Sequence, residues 1–276
     1  MDIKCIALDL DLTTLNAQGK LSEKNKAALE FAASRGVHIV IASGRPLVSL
    51  PQELLAMRGV DFAVTSNGAA VYQLPSKRRI AHHTLERASV ERILQLTACL
   101  PYAYEAFVDG IAYAGADFLS DPVAFGAPEA SVGYLTRTRK GVDDMDAFLW
   151  EHADELEAVD LFTGSKALTD EMHRFLRPKL PKCYITSSLP HLVEISLRDG
   201  GKRNGVQTAI KKLGLSPAQV AAFGDGDNDA DLLRWAGCGI AVANASPACL
   251  AAADFVTGHH DEDGLAQGIY HLLGNN

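Results

Sequence analysis

The chain has 276 residues, of which 47% are hydrophobic and 22% are charged, and its formal net charge is -8. This length predicts about two domains with sizeable apolar cores. The acidic balance argues against a nucleic-acid partner, and we interpret the short basic runs at 77–79 and 137–140 as solvated surface. Since no run of ~18 apolar residues occurs, we expect no membrane partner.

The start of the sequence and the spacing of its cysteines indicate the same cellular compartment. The sequence enters its first strand without a leader-like segment. The five cysteines are Cys5, Cys99, Cys183, Cys238 and Cys249. They form no C-x-x-C pair, so we expect scattered buried thiols in a reducing, cytoplasmic compartment. His259-His260 beside Asp261 could be a metal cluster, but a polar loop before the last helix is the preferred interpretation.

The first part of the chain repeats a pattern of apolar strand, polar turn and helix. A strand at 4–8 ends at Asp9, and Ser22 is placed to cap a helix over 23–35. A second strand at 37–42 ends at Ser43 and leads to a helix that reaches residue 57, while a third strand at 62–65 ends at 66–68. This alternation predicts an α/β fold with a doubly wound, Rossmann-like parallel sheet.

The middle of the chain has a different pattern. Helices are predicted at 85–100, 142–152 and 170–180, alternating with strands at 159–163 and 183–186 and with a hairpin over 105–114. The parallel pattern then resumes with strands at 220–224 and 239–242 and a last helix at 265–273. We therefore predict a core built from residues 1–80 and 189–276, interrupted by an inserted α+β domain at 81–188.

Polar residues follow the ends of the predicted parallel strands. Asp9 and Asp11 follow the first strand, Ser43 follows the second, and Asp225 follows the strand at 220–224. Because parallel strands present their carboxyl ends at one edge of a sheet, we expect these side chains to meet there, with Lys202 nearby.

Each of these residues suits phosphoryl transfer. Asp9 could attack phosphorus, and Asp11 could protonate the leaving alkoxide and then deprotonate water. Asp225 adds a carboxylate for a divalent cation, for which Mg2+ is the best candidate. Ser43 and Lys202 could hold the remaining phosphate oxygens.

At these residues the chain resembles the haloacid dehalogenase superfamily, and within it the Cof-like sugar-phosphate phosphatases. The family's D-x-D-G-T-L motif is matched by Asp9-Leu10-Asp11-Leu12-Thr13-Thr14. Its Ser/Thr-Gly-Arg motif is matched by Ser43-Gly44-Arg45, and its lysine by Lys202. Its G-D-x-x-N-D motif is matched by Gly224-Asp225-Gly226-Asp227-Asn228-Asp229. Four motifs in the same order are far more specific than one D-x-D pair.

The resemblance implies a role for each matched residue. It makes Asp9 the nucleophile and Asp11 the acid and base, with Mg2+ held by Asp9, the backbone carbonyl of Asp11 and Asp225. Ser43, Gly44, Lys202 and Asn228 would bind the phosphorylated substrate, and Asp229 would support the metal ligands. The implied activity is hydrolysis of small phosphorylated metabolites, sugar phosphates above all, through an aspartyl-phosphate. The inserted domain would be the cap that selects the leaving group.

Two positions depart from the first motif, where Leu12 replaces Gly and Thr14 replaces Leu. Leucine is strained where glycine adopts a positive φ, so the turn after Asp11 could differ and turnover could be slow. A phosphometabolite-binding protein with weak turnover is therefore one alternative. A phosphomutase of the same fold, in which the aspartyl-phosphate is passed back to a sugar, is the other.

Several nearby residues have two interpretations. Arg198 or Arg203 could replace Lys202 as the phosphate anchor. Asn67-Gly68 is interpreted as a tight turn near the site. In the inserted domain Glu105, Asp109 and Tyr113 either approach substrate or belong to the hairpin surface.

Overall fold

The computed structural model describes residues 2–98 and 100–274, so the thiol predicted at Cys99 lies outside the described residues. The strands in chain order are β1 (Cys5–Leu8), β2 (His38–Ala42), β3 (Val60–Thr65), β4 (Ala70–Gln73), β5 (Arg78–His82), β6 (Ala103–Val108), β7 (Ile111–Gly115), β8 (Arg139–Val142), β9 (Leu156–Phe162), β10 (Cys183–Thr186), β11 (Leu192–Leu197), β12 (Val220–Gly224), β13 (Cys238–Ala241) and β14 (Phe255–Val256).

The helices in chain order are α1 (Glu23–Ser34), α2 (Gln52–Leu55), α3 (Arg87–Thr97), α4 (Ala116–Ser120), α5 (Glu129–Thr138), α6 (Met145–Glu151), α7 (Lys166–Leu176), α8 (Lys202–Lys212), α9 (Ala230–Trp235), α10 (Pro247–Leu250) and α11 (Gly264–Leu273). Ser22 caps α1 as expected, since its side chain accepts from the backbone N–H of Asn25. Within the described part of the chain no helix is both long and apolar enough to cross a bilayer.

The chain divides into two compact units. The first unit contains the residues up to Gly44, the segment Leu50–Ala81 and the residues from Lys202 onward. The second unit contains Arg45–Ser49 and His82–Gly201. The predicted return to the core at residue 189 is therefore too early. The segment at 192–197, for which the sequence predicts no element, forms β11 and pairs antiparallel with β9 in the second unit. Its backbone groups are paired there, so it belongs to that sheet.

The sheet of the first unit has the strand order β14-β13-β12-β1-β2-β3-β4-β5. The pairs from β14 to β3 are parallel, whereas β3 and β4 are antiparallel. The third strand therefore continues into a hairpin and not into a helix, because Asn67 and Gly68 have φ values of 51° and 94° and reverse the chain. The chain leaves β1 toward β2 and later returns to β12 on its other side. Open α/β sheets bind ligands outside the carboxyl ends of the strands at such a reversal, so we expect a ligand site beyond the ends of β1 and β12.

Helices cover both faces of this sheet. Cys5 and Ala7 of β1 pack in one buried cluster with Val206 and Ile210 of α8. On the opposite face Gly268 of α11 lies against the ring of Phe223, and α11 packs against α1. A strand that is buried on both faces reads as a continuous apolar run, which is what Cys5–Leu8 shows.

The second unit contains a sheet with the order β10-β11-β9-β6-β7-β8. Its pairs are antiparallel except for β7 and β8, which are parallel. Residues of α3, α6 and α7, such as Val90, Leu149 and Met172, form the buried cluster on one face. The predicted hairpin turn is confirmed at Asp109-Gly110, where φ is 49° and 74°, as a two-residue turn between right-twisted strands requires.

A row of buried acidic side chains crosses this second sheet. Glu105 pairs in register with Asp160, and Asp160 pairs with Glu194. The Arg139 guanidinium donates to Glu105 at 2.7 Å and 3.1 Å, and its side chain is only 8% exposed. The interpretation of the run at 137–140 as solvated surface is therefore wrong for Arg139, and Glu105 is a buried partner and not part of the hairpin surface. Burial, reinforced by the charges of Glu194 and Glu105, raises the pKa of Asp160 well above its usual range.

Candidate active site

The turn after β1 holds Asp9 in a buried position. The backbone N–H of Asp9 donates to the carbonyl of Phe223 on β12, so Asp9 extends the parallel ladder. The Thr14 hydroxyl donates to the carbonyl oxygen of Asp9 at 2.5 Å, and the N–H of Thr14 donates to the carbonyl of Leu10. Asp11 lies in the same turn, half-buried. Leu12 adopts a φ of 58°, the left-handed conformation that glycine would adopt at this point of the motif.

Three carboxylates gather beyond the ends of β1 and β12. Carboxylate oxygens of Asp9, Asp225 and Asp229 lie within 4.8 Å of one another. Lys202, at the first residue of α8, places its Nζ 2.5 Å from Asp9 Oδ1 and 2.8 Å from Asp229 Oδ1. Asp229 Oδ2 accepts from the backbone N–H groups of Asp225 and Gly226. Since both oxygens of Asp229 have partners, its carboxylate fixes the lysine and the turn after β12.

The electrostatics of this cluster favour an added cation. Three carboxyl groups face one ammonium group, and all four side chains are at most 7% exposed. Burial raises the pKa of Asp9 to about 7 against the opposing effect of Lys202, and burial also raises the pKa of Asp225. Burial lowers the pKa of Lys202, but the charges of Asp229 and Asp9 outweigh it and the net shift is upward. Hard oxygen donors with excess negative charge are compatible with a divalent cation.

A second set of contacts connects the ends of β2 and β3 to the turn after β12. Ser43 is fully buried, its N–H donates to the Val64 carbonyl, and its carbonyl accepts from the N–H of Asn67. Asn228 Nδ2 donates to Asn67 Oδ1 at 2.9 Å. The other amide atom, Asn228 Oδ1, is buried and has no hydrogen-bond partner among the described residues. Asn67 therefore links the backbone of Ser43 to the side chain of Asn228. Gly44 follows Ser43 directly in the chain.

The structure brings together most of the residues that the sequence selected. Asp9, Lys202, Asp225 and Asp229 form one contact network, and Lys202 is the cation at these carboxylates. Of the two alternative phosphate anchors, one is hydrogen-bonded to another part of the chain and the other is exposed. Arg198 donates to the carbonyl of Pro181 in the second unit, and Arg203 is exposed.

Sequence reasoning missed three residues that shape the site. The Thr13 hydroxyl, fully buried, donates to Asp225 Oδ1 at 2.7 Å. Asn67 was interpreted only as a turn residue, although a polar residue after a strand was the signal that selected Ser43. Asn244 Nδ2 donates to the carbonyl of Leu12 at 2.8 Å and so supports the left-handed turn. No local pattern distinguishes Asn244, because its partner is distant in sequence.

Fold and site together define an α/β enzyme with a buried acidic centre, and comparison with known proteins identifies the family. A model of the haloacid dehalogenase-like hydrolases matches residues 6–269. The chain belongs to this family, which confirms the resemblance and the fold class read from the sequence.

Several relatives match over nearly their full length. A 5-amino-6-(5-phospho-D-ribitylamino)uracil phosphatase of Bacillus subtilis, YcsE, is 26% identical over 99% of this chain and 97% of its own length. The pyridoxal phosphate phosphatase YbhA of Escherichia coli is 26% identical over 99% of this chain and 100% of its own length. The structure of a haloacid dehalogenase-like hydrolase from B. subtilis superimposes with a TM-score of 0.83 at 27% identity, covering 98% of this chain and all of that one.

Proposed function

We propose that this protein is a Mg2+-dependent phosphatase that hydrolyses small phosphorylated metabolites, sugar phosphates above all, through an aspartyl-phosphate on Asp9. One observation carries the proposal. Asp9 is buried against the Lys202 ammonium group and beside the Asp225 carboxylate, and Asp11 lies two residues further along the same turn. Relatives that match this chain almost end to end are named phosphatases.

In the first chemical step a carboxylate oxygen of Asp9 attacks phosphorus, and the bond from phosphorus to the leaving oxygen breaks. Asp11 donates its proton to that oxygen, which leaves as an alcohol. In the second step Asp11 takes a proton from water, whose oxygen attacks phosphorus and releases phosphate together with the Asp9 carboxylate. The same residue thus serves as acid and then as base.

The remaining residues bind and orient the phosphoryl group. Lys202 neutralises the charge that develops on the phosphate oxygens, with Ser43, Gly44 and Asn228 as further contacts. Asn228 Oδ1, which has no hydrogen-bond partner within the described part of the chain, is an acceptor available to a substrate hydroxyl or amide. Asp9, the carbonyl of Asp11 and Asp225 would hold Mg2+, which when bound offsets the negative charge of carboxylates and phosphate, while Asp229 positions the turn that carries Asp225.

The second unit is proposed to be the cap that selects the leaving group. The two named relatives act on a pyridoxal phosphate and on a phosphorylated ribitylaminouracil. These substrates have the phosphomonoester in common and differ in the remainder, which supports a phosphate site in the first unit and selection of the remainder by the second unit. We place the protein in the cytoplasm, since Cys5, Cys183, Cys238 and Cys249 are free thiols in buried positions.

The test measures phosphate release from a panel of phosphorylated sugars, polyols, nucleotides and cofactors, with Mg2+ and with chelator. We expect release that requires Mg2+ and is lost in Asp9→Asn, a variant of nearly unchanged shape. Transfer of the phosphoryl group to a second sugar, with no free phosphate, would favour the mutase alternative. Tight binding without turnover would favour the binding protein.

A further inference from the structure

A second group of potential metal ligands lies outside the acidic centre, in the segment before α11. Ligand atoms of His259, His260 and Asp261 lie within 4.8 Å of one another. From sequence alone this segment is a polar loop, and it is indeed a short turn of helix over His260–Glu262. What the sequence could not show is that residues from two distant parts of the chain hold these side chains in place.

His260 is the fixed member of the group. Its side chain is 5% exposed, and its Nδ1 lies 2.9 Å from the carbonyl oxygen of Leu15. A carbonyl oxygen only accepts, so Nδ1 carries the proton and the other ring nitrogen, Nε2, has a free lone pair in the neutral ring. The backbone N–H of His260 donates to Asn244 Oδ1 at 3.1 Å. A histidine whose second nitrogen is bound to a backbone carbonyl is oriented as metal ligands usually are.

Asp261 is fixed in a similar way. Its Oδ1 accepts from the backbone N–H of Ala17 at 2.8 Å. Its Oδ2 lies 3.6 Å from His260 Nε2, which is too long for a hydrogen bond. Two lone-pair atoms at this separation repel each other unless a cation lies between them. Two ligands that are each about 2.1 Å from one tetrahedral ion are about 3.4 Å apart, close to the observed separation.

His259 supplies the third ligand. Its Nδ1 lies 4.0 Å from Asp261 Oδ2 and accepts the N–H of Asp261 at 3.2 Å. The side chain is 40% exposed, so the ring can turn toward the other two ligands if it gives up the hydrogen bond from the Asp261 N–H. The ring centroids of His259 and His260 are 4.6 Å apart.

We propose that His259, His260 and Asp261 form a binding site for Zn2+ or a similar borderline divalent cation, separate from the acidic centre. Two imidazoles and one carboxylate suit such ions, whereas Mg2+ prefers oxygen ligands alone. The bound ion would tie the segment at 15–17, which follows the first motif, to the segment before α11. Its effect is to stabilise the first unit, and the proposal is independent of the proposed phosphatase activity.

The test uses the full chain in saturating Mg2+, which occupies oxygen-ligand sites, and titrates it with Co2+ as a spectroscopic probe. We expect one equivalent of Co2+ to give the intense visible bands of a four-coordinate ion, and Zn2+ to displace it. His259→Gln and Asp261→Asn should each weaken binding by about tenfold or more. The exposed His259 can be replaced without unfolding, and Asp261→Asn retains the acceptor for Ala17.

Two matched variants serve as controls. His83→Gln removes a histidine of the second unit and should leave the titration unchanged, and Asp225→Asn should retain the Co2+ bands although it damages the acidic centre. The proposal is overturned if no saturable spectrum appears, if His259→Gln binds Co2+ as tightly as the parent chain, or if Asp225→Asn abolishes the spectrum.

Discussion

Among single residues, Leu12 shows how a departure from a motif is accommodated. A leucine with a φ of 58° carries about 1–2 kcal/mol of backbone strain, and Asn244 holds its carbonyl in place. A positive φ is what glycine would adopt at this position, so we expect the turn to keep its conformation and turnover not to be slowed. We therefore expect the strain to lower stability and to leave the position of Asp11 unchanged.

Replacing Leu12 should therefore change stability more than activity. Leu12→Asn suits a positive φ and should match or exceed the parent in free energy of unfolding, whereas the β-branched Leu12→Val should lose about 1 kcal/mol or more. Denaturant unfolding and phosphate release check both quantities. A severalfold faster turnover in Leu12→Gly would show instead that leucine distorts the catalytic turn.

Asn67 is the second residue with a testable role. It joins the carbonyl of Ser43 to the side chain of Asn228, and its own φ is 51°. Asn67→Gly keeps the backbone conformation and removes the side chain whose Oδ1 accepts from Asn228, so we expect a rise in KM of about tenfold with little loss of thermal stability.

A double-mutant cycle provides the control. If Asn67 acts through Asn228, the effects of Asn67→Gly and Asn228→Ala on kcat/KM must be less than additive. Fully additive effects would show that the two amides act separately.

Among the elements, helix α8 approaches the sheet closely because of one glycine. A Cβ atom at Gly205 would lie 2.3 Å from Val64 Cγ1 and 3.3 Å from the Cα of Gly68. Both neighbours are buried, so Gly205→Ala must push the helix or the strand aside. This helix begins at Lys202, and a shift would also move the ammonium group away from Asp9.

We expect Gly205→Ala to lower the free energy of unfolding by about 1–3 kcal/mol and to reduce turnover. Gly133→Ala is the matched control, since Gly133 is inside helix α5 and a Cβ atom added there would have no neighbour within 4 Å. At that position alanine should raise the free energy of unfolding by about 0.5–1 kcal/mol. Equal effects of the two substitutions in denaturant unfolding would contradict the close-packing argument.

The acidic row of the second sheet predicts an unusual dependence of stability on pH. The raised pKa of Asp160 means that the folded protein holds this proton to higher pH than the unfolded chain does. The contribution of Asp160 to the free energy of unfolding is therefore fully present below pH 3.8, the pKa of this group in the unfolded chain. This contribution falls as the pH rises toward the higher pKa of Asp160 in the folded protein. The groups that face it are Glu194, Glu105 and Arg139.

Asp160→Asn should consequently raise the melting temperature at pH 8 and have little effect near pH 4. Asp170→Asn is the control of opposite sign, because the hydrogen bond from Lys166 lowers the pKa of Asp170. The Asp170 side chain is exposed, so removing its charge should lower the melting temperature only slightly, and only at pH 8. A stabilisation by Asp160→Asn that does not vary with pH would show that packing, and not ionisation, is responsible.

At the scale of the molecule, the acidic centre combines residues from the two ends of the chain. Asp9 comes before the second unit in the sequence, whereas Lys202, Asp225 and Asp229 come after it. A cation bound there would join the first and last parts of the chain and would stabilise the folded state by mass action. We expect Mg2+ at 100 times its dissociation constant to add about 2.7 kcal/mol to the free energy of unfolding.

Thermal unfolding with and without Mg2+ checks this prediction. Asp225→Asn should lose the Mg2+-dependent rise in melting temperature. Asp227→Asn should keep it, because Asp227 accepts from the Ser246 hydroxyl and lies outside the carboxylate cluster. An equal Mg2+ response in both variants would remove Asp225 from the cation site.

Local patterns in the chain were sufficient for most of the fold. Apolar runs ending in polar residues located β1, β2 and β12, because strands buried on both faces need continuous apolar sequence. Asp109-Gly110 located its hairpin because few residues other than glycine, asparagine and aspartate tolerate positive φ. The same patterns did not distinguish a helix from the hairpin after β3, and they did not recognise β11.

The sequence by itself determined the α/β class, the family and the residues of the acidic centre, since these depend on local periodicity and on motifs whose residue types the chemistry requires. Only the tertiary structure decided which distant groups meet. The contacts of Thr13 with Asp225, Asn67 with Asn228, Arg139 with Glu105 and Leu15 with His260 were found only there. Such pairs leave no local signal, because buried polar groups can find their partners anywhere in the fold, and it is packing that brings those partners within reach.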